Sequence, residues 1–114
     1  MKFPKRGEIY QVSLDPTIGT EIAKTRPALI ISNDIGNQFS ARVIVAPLTS
    51  QHTDKVYPFE VLIPASEGGI SQASKVLLDQ IRSIDKRRLK KRLGIIGSER
   101  MAEADQAIRR SLAV

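Results

Sequence analysis

At 114 residues the chain suits one domain, residues 1–114, with a single hydrophobic core. Cysteine is absent and His52 is the only histidine, which excludes disulfides, thiolate metal sites and any mechanism needing two imidazoles. The net charge of +6 is concentrated: Arg82, Lys86, Arg87, Arg88, Lys90, Lys91 and Arg92 lie within one segment against Asp85 alone, and the remainder is balanced. A polyanion or an acidic protein partner would find that one patch, unless it is simply a solvated turn. The opening stretch MKFPKRGEIY has charge but no apolar leader, and no later run reaches membrane-spanning length, so a cytoplasmic protein is expected.

In chain order, Gly7 to Leu14 reads as a first strand, with Ile9, Val12 and Leu14 apolar and the alternation broken near Gln11. A polar loop over 15–25 follows. The run Ala28-Leu29-Ile30-Ile31 then marks a buried strand from about Pro27 to Ser32. Pro27 disfavours helix at Arg26, so Arg26 is expected extended at the strand entrance. Residues 33–37, NDIGN, are dense in turn formers and predict a tight turn or one short helical turn.

Arg42 to Leu48 gives a third strand. Pro47 cannot donate to a ladder, so the strand is expected to end, bulge or lie at an edge there. After a polar loop over 51–57, Phe59 to Ile63 forms a fourth strand, and the loop over 64–72 centres on Gly68-Gly69. Ser74 to Asp85 reads as one long fifth strand. Asp85 is placed to cap a helical turn at Lys86–Leu89, and Leu93 to Ile96 gives a last short strand. Ser98 to Leu112 predicts a helix with Ser98 as N-cap and an apolar stripe of Met101, Ala104, Ile108 and Leu112. Short strands ending in one helix argue for a mainly β, largely antiparallel barrel with helical additions.

The chain has no phosphate-cradling glycine-rich loop, no paired histidines for zinc and no Gly-x-Ser-x-Gly elbow. There remain Arg26 at one strand's entry, Thr49 and Ser50 at another's exit, and Glu21 in the intervening loop. Brought together, a cation, hydroxyls and a carboxylate could bind a phosphodiester and stabilise charge developing on it. Read singly, each is an ordinary surface or strand-end residue.

Ordered blocks along the chain add to this. They are Arg6-Gly7-Glu8-Ile9-Tyr10, Leu14-Asp15-Pro16, Gly19-Thr20-Glu21, Arg26-Pro27-Ala28-Leu29-Ile30, Asn33-Asp34-Ile35-Gly36-Asn37, Thr49-Ser50, Tyr57-Pro58-Phe59-Glu60-Val61 and Asp79-Gln80-Ile81-Arg82-Ser83-Ile84-Asp85. In these the chain resembles the MazF/PemK family of toxin endoribonucleases, the mRNA interferases of bacterial toxin–antitoxin pairs. The resemblance implies a small SH3-like antiparallel barrel of the CcdB/PemK type with a C-terminal helix. It implies Arg26 as catalytic arginine, Thr49 as catalytic hydroxyl residue and Glu21 as loop acid, with Thr20, Asn33, Ser50 and Gln80 at RNA-contacting positions. It also implies a homodimer that cuts single-stranded RNA through the 2′-OH without a metal or other cofactor, and an acidic antitoxin tail that blocks the site. The departures are Ile22, where glutamine is frequent, and Lys24-Thr25, where a glycine is frequent; both bear on the sequence cut rather than the chemistry. The rival reading is a CcdB-like toxin that binds DNA gyrase and cleaves nothing. Against it, the chain lacks tryptophan and ends Ser111-Leu112-Ala113-Val114, whereas that group's gyrase contacts involve a C-terminal Trp-Gly-Ile. An RNA-binding module that has lost activity is a third reading, disfavoured by intact Arg26 and Thr49.

Overall fold

The computed structural model describes residues 2–114. Its strands are β1 (Glu8–Ser13), β2 (Thr25–Ile30), β3 (Arg42–Thr49), β4 (Glu60–Ile63), β5 (Ser74–Leu77), β6 (Arg82–Asp85) and β7 (Leu89–Ile95). Helix α1 spans Asp34–Phe39 and α2 spans Ser98–Leu112; single 3₁₀ turns occur at Glu67–Gly69 and Lys86–Arg88. The strands form one antiparallel sheet in the order β4-β5-β3-β2-β1-β7, with β6 pairing β3 off that path. The fold class is as expected. The barrel, however, is not closed: β4 and β7 end the pairing path without pairing each other.

The central strands are buried on both faces, which is why they read as continuous apolar runs. Leu29, Ala46 and Leu48 point into one cluster with Ile9, Val61, Ile63, Val76 and Leu78, which α2 covers through Ala104 and Ala107. Their neighbours Ala28, Ile30, Val43 and Val45 point the other way, into a cluster with Val12, Leu14 and Ile84. The period of two along β2 and β3 distributes alternate side chains between two cores.

Several expectations need correction. β3 passes through Pro47 to Thr49, flanked by strands on both sides. Its free-edge alternative fails because β3 changes partner on one edge, from β6 (Arg42 to Val45) to β5 (Leu48 and Thr49). The Ile44 carbonyl accepts from Ile31 N at 2.9 Å and so faces β2. Alternation then turns Pro47 to the opposite edge, into the gap between β6 and β5, where no ladder donor is required. The expected fifth strand is two strands: Leu78 to Ile81 turns away between β5 and β6, with Gln80 N bonded to the Leu77 carbonyl at 3.1 Å. β7 starts at Leu89, earlier than expected, because β1 supplies a partner as far as Val12. Residues 33–37 initiate a true helix: the Asn33 side chain accepts from Gly36 N, and the helix runs on to Phe39. For α2 the N-cap is Gly97 rather than Ser98, with no side-chain cap bond, and Leu112 is exposed rather than packed. Asp85 does cap the 3₁₀ turn at Lys86–Arg88, accepting from Arg87 N.

One buried ion pair stands beside the end of β3. Lys75, the register partner of Thr49, donates from Nζ to Glu60 Oε1 at 2.9 Å and to the Lys55 carbonyl at 3.0 Å. Both side chains of the pair are only 7% exposed. Glu60 Oε1 also accepts from Tyr57 N at 3.0 Å, so the pair fastens the loop leaving Thr49 back onto β4 and β5. Removing one partner strands the other's charge. Lys75→Met is expected to cost about 3–5 kcal/mol in urea unfolding, and Lys75→Met with Glu60→Leu to recover most of it. Additive losses would show that the two charges are not coupled.

Candidate active site

Two clefts bear on the predicted residues, one lined by the loop joining β1 to β2 and one by the strands on either side of that loop. The first, of about 480 Å³, is lined by Thr20, Glu21, Ile22, Asp79, Gln80, Ile81 and Arg82. The second, of about 400 Å³, is lined by residues that include Gln11, Arg26, Pro27, Leu48, Ser50, Gly69 and Gln72.

Arg26 enters the second cleft from β2, where it lies opposite Val12 of β1. It is half-buried, and its Nε donates to the Ala23 carbonyl at 2.8 Å, while among the described residues no hydrogen bond engages its Nη groups. Ser50 reaches the same cleft from the exit of β3. Thr49, the last residue of β3, is half-buried beside it, and its Oγ1 accepts from Gln51 N at 3.2 Å. The cleft wall is formed where Gly69 passes against the Leu93 backbone. A side chain at Gly69 would run into the Leu93 carbonyl, and its φ of +80° suits glycine. The arrangement puts one cation and the β3-end hydroxyls at the border of a cleft of mixed polar and apolar lining, which suits a phosphodiester.

Glu21 does not share that cleft. It lines the first one with Thr20 and Gln80, and its Oε1 accepts from Ile18 N at 2.6 Å, closing a tight turn. Gln80 Oε1 accepts from Ile22 N at 2.8 Å and so binds the loop to the turn between β5 and β6. The expected single cluster is therefore two sites joined by the loop: Arg26 with Ser50 and Thr49, and Glu21 with Thr20 and Gln80. Asn33 lines neither cleft; its side chain is occupied in capping α1.

Sequence reading missed Gln11, Gln72 and Arg82 as cleft residues. Gln11 left a trace, since it interrupts the apolar alternation of β1 and lies opposite Pro27. Gln72 and Arg82 left none, because the loop and strand that bear them come to the site only through pairing. His52 is exposed at φ +56° in the loop after Ser50 and lines neither cleft. The Asp85 carboxyl is held down at about 2 by its hydrogen bond from the Arg87 side chain, so the cap of the following 3₁₀ turn stays charged through the neutral range.

Residues 5–112 match the model of the PemK-like, MazF-like toxins of type II toxin–antitoxin systems. The chain is 43% identical over 110 residues to endoribonuclease EndoA of Bacillus subtilis (strain 168), covering 96% of this chain and 95% of that one. Crystalline MazF (form I) from Deinococcus radiodurans superposes with a TM-score of 0.85 at 31% identity, over the full length of both chains. An endoribonuclease in complex with its cognate antitoxin from a mycobacterial species gives a TM-score of 0.80 at 25% identity, covering 97% of this chain and 96% of that one. A family match across nearly the whole chain, on this open antiparallel sheet with its C-terminal helix, decides the matter: the chain belongs to the PemK-like, MazF-like toxin family.

Proposed function

We propose that this protein is an endoribonuclease toxin, a single domain over residues 1–114, that cleaves single-stranded RNA in the cytoplasm and is neutralised by a cognate antitoxin. The observation that carries the reading is the position of Arg26 in one cleft with Ser50, next to Thr49, in a chain of this family. The 43% identical relative is an endoribonuclease, and a mycobacterial relative is captured with its antitoxin. The relatives that match give no support to the gyrase-binding reading.

In the proposed reaction the ribose 2′-oxygen attacks the adjacent phosphorus while the bond to the 5′-oxygen breaks. A 2′,3′-cyclic phosphate and a 5′-hydroxyl result. The Arg26 guanidinium holds the non-bridging oxygens and offsets the negative charge that builds on them; a guanidinium is a donor only and makes a poor base. Thr49 and Ser50 supply hydroxyls beside the phosphate. Glu21 lies in the neighbouring cleft, so the 2′-OH proton passes to a water, either as the base itself or as a relay to Glu21, and the departing 5′-oxygen takes its proton from water. Thr20 and Gln80 line the neighbouring cleft, where the flanking nucleotide lies. No step calls on a metal or cofactor, so cleavage of a long mRNA is expected to persist in EDTA. The protein acts as a homodimer, and an acidic antitoxin segment competes with RNA for the Arg26 cleft.

Arg26→Ala and Thr49→Ala are each expected to lower cleavage by about 10²-fold or more with circular dichroism unchanged, since a lost charge-stabilising donor costs about that much. Normal cleavage by either folded variant would remove that residue from the mechanism.

His52→Ala is expected to cleave within about tenfold of the parent, because loss of a true general base costs about 10²–10⁴. A 2′-deoxy nucleotide at the scissile position is expected to block the reaction. A thousandfold slowing by His52→Ala, or efficient cutting at the deoxy site, would overturn the arginine-centred mechanism.

A further inference from the structure

The basic segment after β5 is not a free cationic surface. Arg82 Nη1 donates to the Leu14 carbonyl at 2.9 Å. Arg88 Nη1 donates to the Ser13 carbonyl at 3.2 Å and to the Asp15 carbonyl at 2.5 Å. Three consecutive carbonyls, where the chain leaves β1 for the loop carrying Thr20 and Glu21, are thus held by two guanidiniums from 68 to 75 residues away. Arg87 is paired with Asp85 and Arg92 with Glu8. Among the described residues, this leaves Lys86, Lys90 and Lys91 as the segment's cations that hold neither a carboxylate nor a carbonyl.

The loop needs such a hold. Between the buried Leu14 and the half-buried Ile22 it has little apolar anchorage, and Ile18 is 83% exposed. Within itself it makes few bonds: Leu14 N to the Lys24 carbonyl at 3.0 Å, Lys24 N to Asp15 Oδ1 at 3.0 Å, and the Ile18–Glu21 turn. Its far shoulder is held by Gln80 through Ile22 N. A guanidinium presents rigidly spaced donors, so Arg88 spanning two carbonyls fixes the direction of the chain as well as its place. Arg82 goes further, because the side chain that grips Leu14 also lines the cleft holding Thr20 and Glu21.

We propose that Arg82 and Arg88 are positioning residues: they clamp the β1–β2 loop at Ser13–Asp15 and thereby set Thr20 and Glu21 against the RNA. This rests on the endoribonuclease reading, and the test separates the two. Single-turnover and steady-state cleavage of a single-stranded RNA would be measured for the parent, Arg88→Ala, Arg88→Lys and Lys90→Ala, together with amide hydrogen exchange over residues 14–24. A parent without cleavage would overturn the endoribonuclease reading, while the exchange data would still decide the clamp. With the clamp in place, Arg88→Ala raises exchange across the loop and lowers kcat about tenfold or more with KM within about threefold, since misplaced reacting groups cost rate before binding. Arg88→Lys, which keeps a cation within reach of a carbonyl, recovers part of the rate. Lys90→Ala, which removes the same charge without touching the loop, leaves both unchanged. Should Arg88→Ala fail to fold, Arg88→Gln, which retains an N–H donor, takes its place. Unchanged loop exchange and kcat on loss of the Arg88 side chain would overturn the proposal. So would equal losses in Arg88→Ala and Lys90→Ala, which would make the effect one of charge alone.

Discussion

Everything about the site follows from the divided edge of β3. One edge of this strand runs against β2, while the other is shared between β6 and β5. Pro47 lies in the interval between those two partners, the one place in a central strand where a missing donor costs no ladder bond. Because β5 takes over at Leu48 and Thr49, the strand end stays paired to its last residue, and Thr49 is presented on rigid backbone rather than on a loop. Arg26 is held in the same way, by the pairing of Val12 with it across β1 and β2. Reactive groups on strand ends keep their geometry better than groups on loops.

The same division explains why polar chemistry collects at the border of the sheet. Both faces of the central strands are filled by aliphatic side chains, so charge inside the sheet must be paired. The Lys75–Glu60 pair meets that requirement beside Thr49 and, through the Lys55 carbonyl and Tyr57 N, ties down the chain that leaves the site. Apart from Gln11, within β1, the remaining polar side chains of the two clefts come from loop, turn and strand-end positions.

Charge in the segment from Arg82 to Arg92 illustrates a limit of counting. Its excess of cations suggested a landing surface for a polyanion, but four of its arginines are engaged within the fold. Two hold backbone carbonyls of the site loop, and two are paired with Asp85 and Glu8. Arginine suits this use because its donors are fixed in a plane and it remains charged at any relevant pH. The three lysines, with flexible stems and strongly hydrated heads, are the ones left without partners.

The amino-acid sequence by itself determined the strands β1 to β4, the capped turn at Asp85 and the bounds of α2, because apolar periodicity, proline and cap chemistry are local signals. It also singled out Arg26, Thr49 and Ser50, each marked by a proline or by a strand end. Local signals were not enough at Ser74–Asp85, where apolar residues on both sides of Asp79-Gln80 concealed the turn at Leu78–Ile81 that separates β5 from β6. The N-cap of α2 and the exposure of Leu112 likewise depended on how the helix lies on the sheet. Tertiary structure alone decided that Glu21 and Gln80 share a cleft apart from Arg26, and that Arg82 and Arg88 grip Ser13–Asp15. Those relations join residues dozens of positions apart. They are set by strand register and by which carbonyls a guanidinium can reach, and neither quantity exists until the sheet has formed.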